Sequence, residues 1–159
     1  MKKILILAAA AAVLCSCGSK NKYTVEGTVA GANEMVYLFD EEEVILDSAV
    51  VKEGKFRLSG VAETPAVAIL RDARDQGATF ATMLILEPGR ITVSDDAENA
   101  YRKHVTGTPA NDASDAYATT SHALVDEFRN EATGDERRDA IEKEYDQLTR
   151  TTMEQNRTN

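Results

Sequence analysis

Val50-Val51-Lys52-Glu53-Gly54-Lys55-Phe56-Arg57-Leu58 reads as two short strands joined by a two-residue turn. Gly54 supplies the positive φ that such a turn needs, with no Cβ to clash. Beyond the turn, Phe56, Leu58 and Gly60 face one way and Lys55, Arg57 and Ser59 the other, the period of a strand with one buried face. The same period runs upstream through Tyr23, Val25, Gly27 and Val29. Met35 to Phe39 and Val44 to Val51 are further strands, separated by the acidic run Asp40-Glu41-Glu42-Glu43. Downstream, Pro65 suits the head of a strand over Ala66 to Leu70, because its missing N–H costs nothing there.

Phe80 to Leu86 is apolar at almost every position, which predicts a central strand covered on both faces. Glu87-Pro88-Gly89-Arg90 has Pro and Gly where a type II turn wants them, and turns the chain into the alternating strand Arg90 to Ser94. Seven to eight short strands, spaced by about 8 to 12 residues and joined by tight turns, predict an antiparallel β-sandwich or barrel over residues 23–107.

After Gly107 the period changes to that of helices. Thr108 is a predicted N-cap with Pro109 at the first helical position, and Asp112 and Asp115 complement the helix dipole. Thr133 and Glu136 match a capping box at the start of a second helix. Residues 108–159 are thus predicted to form a C-terminal helical hairpin. Its apolar stripe is thin (Tyr117, Leu124 and Phe128, then Ile141, Tyr145 and Leu148), so it needs the sandwich or a further domain to pack against. On the second helix, Asp139 with Lys143 and Asp146 with Arg150 have the spacing of stabilising pairs.

The first residues carry an address. Lys2 and Lys3 precede an uncharged apolar run from Ile4 to Leu14, the length of a signal-peptide core and too short to span a bilayer. Leu14-Cys15-Ser16-Cys17 resembles a bacterial lipobox, with Cys17 as the acceptor of the lipid. Cys15 does not fit the frame, since Leu14 would then stand where a small residue is required. The expectation is a signal peptide over 1–16, a lipid anchor at Cys17 and a short tether over 17–22. At about 3.4 Å per residue the five tether residues Gly18 to Lys22 reach only ~17 Å. An acylated Cys17 holds the chain at the membrane and, with Cys15 removed, leaves no free thiol for redox chemistry. No acidic run follows Cys17, which favours the periplasmic face of the outer membrane over the cell surface.

The 159 residues carry 18 Lys and Arg against 27 Asp and Glu, a formal charge of −9; loss of Lys2 and Lys3 leaves 16 basic residues against the same 27, or −11. A chain this acidic is a poor nucleic-acid binder. A hydrophobic fraction of 43% is too high for global disorder. No GxSxG, Walker loop or HExxH occurs. His104 and His122 lack partners at ligand spacing and read as surface or boundary histidines. Asp40 to Glu43, and Asp95, Asp96 and Glu98, read as solvated acidic loops, because none has the spaced ligands of a calcium loop. No metal, cofactor or catalytic residue is expected.

Tyr23-Thr24-Val25-Glu26-Gly27-Thr28, Leu46-Asp47-Ser48-Ala49, Glu53-Gly54-Lys55-Phe56, Leu86-Glu87-Pro88-Gly89 and Gly107-Thr108-Pro109-Ala110-Asn111-Asp112 resemble, in that order, an uncharacterised β-rich N-terminal domain of bacterial envelope lipoproteins. In those proteins the domain usually precedes a thioredoxin-like domain. The resemblance implies an accessory module with a helical connector. No CxxC occurs in these residues, so none of the relatives' catalytic residues is carried over. The expected function is therefore a lipid-anchored accessory or binding module of the cell envelope without catalysis of its own. It would dock a partner, or a thioredoxin-like domain, on its sheet face or helical hairpin. The alternatives are a glycan- or small-ligand-binding lipoprotein, for which the absence of Trp is unfavourable, and a hydrolase with dispersed carboxylates.

Overall fold

The computed structural model describes residues 21–99 and 102–158. The predicted signal peptide (1–16), the predicted lipid anchor Cys17 and most of the predicted tether lie outside the described residues. Eight strands form two four-stranded sheets, followed by two helices. The strands are β1 (Lys22–Thr28), β2 (Met35–Phe39), β3 (Ile45–Val50), β4 (Lys55–Val61), β5 (Ala66–Arg71), β6 (Ala81–Leu86), β7 (Gly89–Asp95) and β8 (Lys103–Thr106); the helices are α1 (Pro109–Arg129) and α2 (Asp135–Thr158). The first sheet has the order β4-β1-β7-β8 and the second β3-β2-β5-β6. They pack as a sandwich, and the strands do not close into a barrel.

Alternation drives this arrangement. Tyr23, Val25, Phe56, Leu58, Ile91 and Val93 of the first sheet face Val36, Leu38, Ala68, Leu70, Leu84 and Leu86 of the second, in one continuous core. Each large side chain buried there contributes about 1.5–3 kcal/mol. Lys22, assigned above to the tether, already pairs with Val61 in β1.

Three local expectations are corrected. The turn at Lys52 to Lys55 forms, with Glu53 at φ 53° and Gly54 at φ 75°, and Lys52 and Lys55 exchange backbone hydrogen bonds of 2.9 Å. The flanking strands then diverge, β3 pairing with β2 and β4 with β1. The turn is a crossing between sheets, because each strand's apolar face is satisfied only on opposite sides of the core. Pro88-Gly89 likewise carries the chain from β6 to β7 in the other sheet.

The sandwich is also not wholly antiparallel, since β1 and β7 pair in parallel from Tyr23↔Gly89 to Thr28↔Ser94. Gly27 permits this contact. A Cβ there would lie 2.2 Å from the Val93 carbonyl oxygen.

Lastly, β6 is an edge strand rather than a central one, with Met83 exposed on its outer face. An apolar run marks both faces of a strand as apolar without guaranteeing that both are covered.

α1 closes the side of the sandwich that β6 and β8 leave open. Asn111 and Asp115, one turn apart on the helix, each engage one edge. The Ile85 N–H donates to Asn111 Oδ1 (2.9 Å) and Asn111 Nδ2 donates to the Ile85 carbonyl (2.7 Å). The Val105 N–H of β8 donates to Asp115 Oδ1 (3.2 Å). Thr108 is the N-cap residue, but its hydroxyl accepts from Asn111 Nδ2 and caps no backbone amide. The free amide of Ala110 donates instead to Glu87 Oε1 (2.7 Å), a carboxylate at a helix N-terminus. Thr133 does not form the expected capping box; its hydroxyl donates to the Glu127 carbonyl (2.7 Å) and so closes α1, while the Gly134 carbonyl accepts from the Arg137 and Arg138 amides of α2.

Candidate functional site

The two sheets present different faces to solvent. On the first sheet the outward positions are mostly polar: Thr24 and Glu26, Arg57 and Ser59, Arg90 and Thr92, although Val61 at the end of β4 is 62% exposed. Glu26 lies 3.3 Å from Arg90 and 3.6 Å from Arg57. On the second sheet the outward positions are mostly apolar. Met83 is 69% exposed, Val50 55%, Leu46 45% and Val67 38%. Between them stand half-buried Met35 and Tyr37 of β2, Ile69 of β5 and Ile85 of β6.

Register aligns these side chains. Ile69 stands opposite both Phe39 and Met83, Val67 opposite Ile85, and Met35 opposite Val50. Four strands about 4.8 Å apart and some five residues long give a footprint of ~300 Å². Exposed apolar patches on the faces of monomers are often functional when they reach a few hundred Å² (roughly 300–600 Å²).

Arg71 is the one cation on this face among the described residues, and it is committed. Its guanidinium stacks 3.9 Å from the Phe39 ring centroid and lies 3.8 Å from Glu43. Phe39 is thereby buried, although it forms a tilted pair with Tyr37 (centroids 6.3 Å apart). The loop β2–β3 beside it carries Asp40 to Glu43. Asp40 Oδ1 accepts from Glu42 N (2.9 Å) and Val44 N (2.8 Å), while Glu41 and Glu42 are exposed.

A polar cluster lies where α1 meets β8. His104 Nδ1 is 2.9 Å from Asp115 Oδ2 and Nε2 is 3.3 Å from Asp96 Oδ2. Arg102 lies 3.5 Å from Asp96 and 4.0 Å from Asp115, and bonds the Thr119 hydroxyl. The amides of Glu98 and Asn99, with His104 and Arg102, hold the Asp96 carboxyl below its ordinary range against a smaller opposing effect of burial. For the neighbouring Asp95, burial pushes the carboxyl up but is outweighed by the Ala30 amide and Lys103 at 2.9 Å, so its net shift is also downward.

The cluster ties the β7–β8 loop and α1 together through one imidazole. A doubly protonated ring donates to both carboxylates and a neutral ring to one. Sequence spacing missed this, because Asp96 and Asp115 reach His104 only through the β7–β8 reversal and the seating of α1.

His122 is exposed on α1, apart from this cluster. Among the described residues no group of three His, Cys, Asp or Glu side chains is arranged to hold a metal ion, and no helix is long and apolar enough to cross a membrane.

Among the described residues Leu124 and Ile141 are the buried large apolar side chains of the helical hairpin, with Phe128 and Tyr145 at the margin of a shallow groove. Arg137 clamps the arms, 2.7 Å from Glu127 and 2.6 Å from Glu144. The expected pairs Asp139–Lys143 and Asp146–Arg150 do not come within ion-pair distance.

No curated protein matches the chain. Residues 23–114 match the family model described as Domain of unknown function (DUF4369), a span covering all eight strands and the first turn of α1, where Asn111 is seated. That span is more than half of the chain, and the chain belongs to this family of domains of unknown function.

Proposed function

We propose that the chain is an accessory module of the bacterial cell envelope, tethered through acylated Cys17 and without catalysis of its own, that docks a protein partner on the outer face of the second sheet. The observation that carries this reading is the contrast between the two outer faces. A sheet face with Met83, Val50 and Leu46 in water is costly to keep uncovered, whereas the other sheet's outer face is mostly charged and hydroxylated, with Val61 at its margin. The lipobox-like Leu14-Cys15-Ser16-Cys17 supports the tether. Resemblance to domains that precede a thioredoxin-like domain supports an accessory role.

The His104 cluster lends no support to a hydrolase. A nucleophile would need an imidazole nitrogen facing it, and both ring nitrogens here face carboxylates. A glycan platform draws none either, because the Phe39 ring lies under Arg71.

The test is a photo-crosslinking residue at Met83 or, as a control on the other sheet, at Thr92 of the full-length chain in cells. The expected result is a discrete protein adduct from position 83, none from 92, and loss of the adduct when Val67→Glu is added. Equal labelling from both faces, or labelling indifferent to Val67→Glu, would overturn the reading. Mass spectrometry of the mature N-terminus tests the tether, with a diacylated Cys17 expected and an unmodified N-terminus excluding it.

A further inference from the structure

We propose that the occupant of the second sheet's outer face is a protein surface with an aliphatic centre and Lys or Arg clustered along one side. The proposal rests on the docking reading above and adds the partner's charge and its orientation.

The two ends of the face differ in charge. One end is formed by the β2–β3 loop and the loop before β5. It carries exposed Glu41, Glu42 and Glu63, and neither loop contains a Lys or Arg. Arg71, beside the β2–β3 loop, is held between Phe39 and Glu43, and Lys22 of the other sheet stands opposite Val61 next to the loop before β5. At the other end Glu34, Glu53 and Asp75 alternate with Lys52 and Arg74 and nearly balance.

These facts select among occupants. A second copy bound face to face through the same sheet brings no surplus of cations at either end, so such a pair does not meet the acidic end with opposite charge. An anionic lipid surface repels that end. A partner with an apolar strip ending in cations satisfies both halves, burying Met83, Val67 and Val50 while its cations meet Glu41 and Glu42. The face's ~300 Å² is well below the ~800 Å² per partner of a stable complex. Attraction at the acidic end therefore supplies orientation and on-rate to a contact that apolar burial alone leaves weak.

The experiment uses the full-length chain in nanodiscs and three fluorescent amphipathic peptides, identical in a leucine-rich face and ending in three Lys, three Glu or three Gln. At low salt the Lys-ended peptide is expected to bind at least tenfold more tightly than the Glu-ended one, with the ratio falling as salt screens the charges. The variant E41Q/E42Q/E63Q, which spares the Glu43 that holds Arg71, brings that ratio to within about twofold and leaves the Gln-ended peptide's affinity unchanged. Met83→Glu weakens all three.

Equal affinity for Lys- and Glu-ended peptides, with Met83→Glu still weakening both, overturns the cationic partner and leaves docking intact. Binding indifferent to Met83→Glu overturns docking itself. A concentration-dependent dimer, or flotation with anionic vesicles, that Met83→Glu abolishes would replace the partner with a second copy or a lipid surface and overturn the proposal.

Discussion

Asn111 of α1 and Ile85 of β6 exchange two hydrogen bonds, Ile85 N–H to Asn111 Oδ1 at 2.9 Å and Asn111 Nδ2 to the Ile85 carbonyl at 2.7 Å. A side-chain amide thus takes the position of the next strand's backbone at a sheet edge. It is 1% exposed, and its nitrogen also reaches the Thr108 hydroxyl at 2.8 Å. Replacing it with Leu leaves a donor and an acceptor of the Ile85 backbone without their partner. Asn111→Leu is expected to destabilise the domain by about 2–4 kcal/mol, measured by urea unfolding, and to speed amide exchange at Ile85 first.

Asp72 ties two loops to the second sheet. Its carboxylate accepts from Asn33 N (2.8 Å), Thr79 N (2.7 Å), Thr79 Oγ1 (2.5 Å) and Phe80 N (3.3 Å). Burial pushes its pKa up, but these hydrogen bonds outweigh it and hold the group below the ordinary 3.8. Because the folded state binds this proton less readily than the unfolded one, the stabilisation is full above that ordinary value. It is lost as pH falls from there through the lowered value. Asp72→Asn is expected to flatten the acid limb of a stability–pH curve followed by circular dichroism. An unchanged acid limb would remove Asp72 from the balance.

Glu53 occupies the first central position of the turn between sheets at φ 53°, a region that asparagine enters more readily than glutamate. Glu53→Asn should raise stability by about 0.5–1 kcal/mol, seen as a higher unfolding midpoint with an unchanged denaturant slope.

Gly27 has the opposite sensitivity. A methyl group there meets the backbone oxygen of Val93 at 2.2 Å, and backbone in a central ladder yields little. Gly27→Ala is expected to cost about 2–4 kcal/mol and to disturb the β1–β7 ladder, monitored by amide exchange at Val25 and Val93. Exchange rates like those of the parent protein would contradict the close approach.

Patterning along single strands was readable from the residues, and pairing between them was not. Phe56 and Leu58 point inward as their alternation requires. Yet nothing local in Tyr23 to Thr28 names β7 as its parallel neighbour, because that contact is chosen by the shared core. The apolar character of Phe80 to Leu86 is visible in the sequence and predicts double burial, which the edge position of β6 does not provide. Residue type reports what a face prefers, while coverage depends on how many layers the chain builds. The Asp96–His104–Asp115 bridge was hidden for a similar reason, since it exists only after α1 settles on β8. Thr133 matched a capping pattern, but the Glu127 carbonyl at the end of α1 offered its hydroxyl a nearer acceptor.

The parallel ladder of β1 and β7 gives the molecule an order of events. Tyr23 finds Gly89 across a long stretch of chain, so the earliest-made strand is among the last to be flanked on both sides. Until residues near 95 are synthesised, β1 has only β4 beside it and half of its ladder stands open. Contacts this distant in sequence slow folding, and for that interval the open edge of the waiting strand is free to pair wrongly.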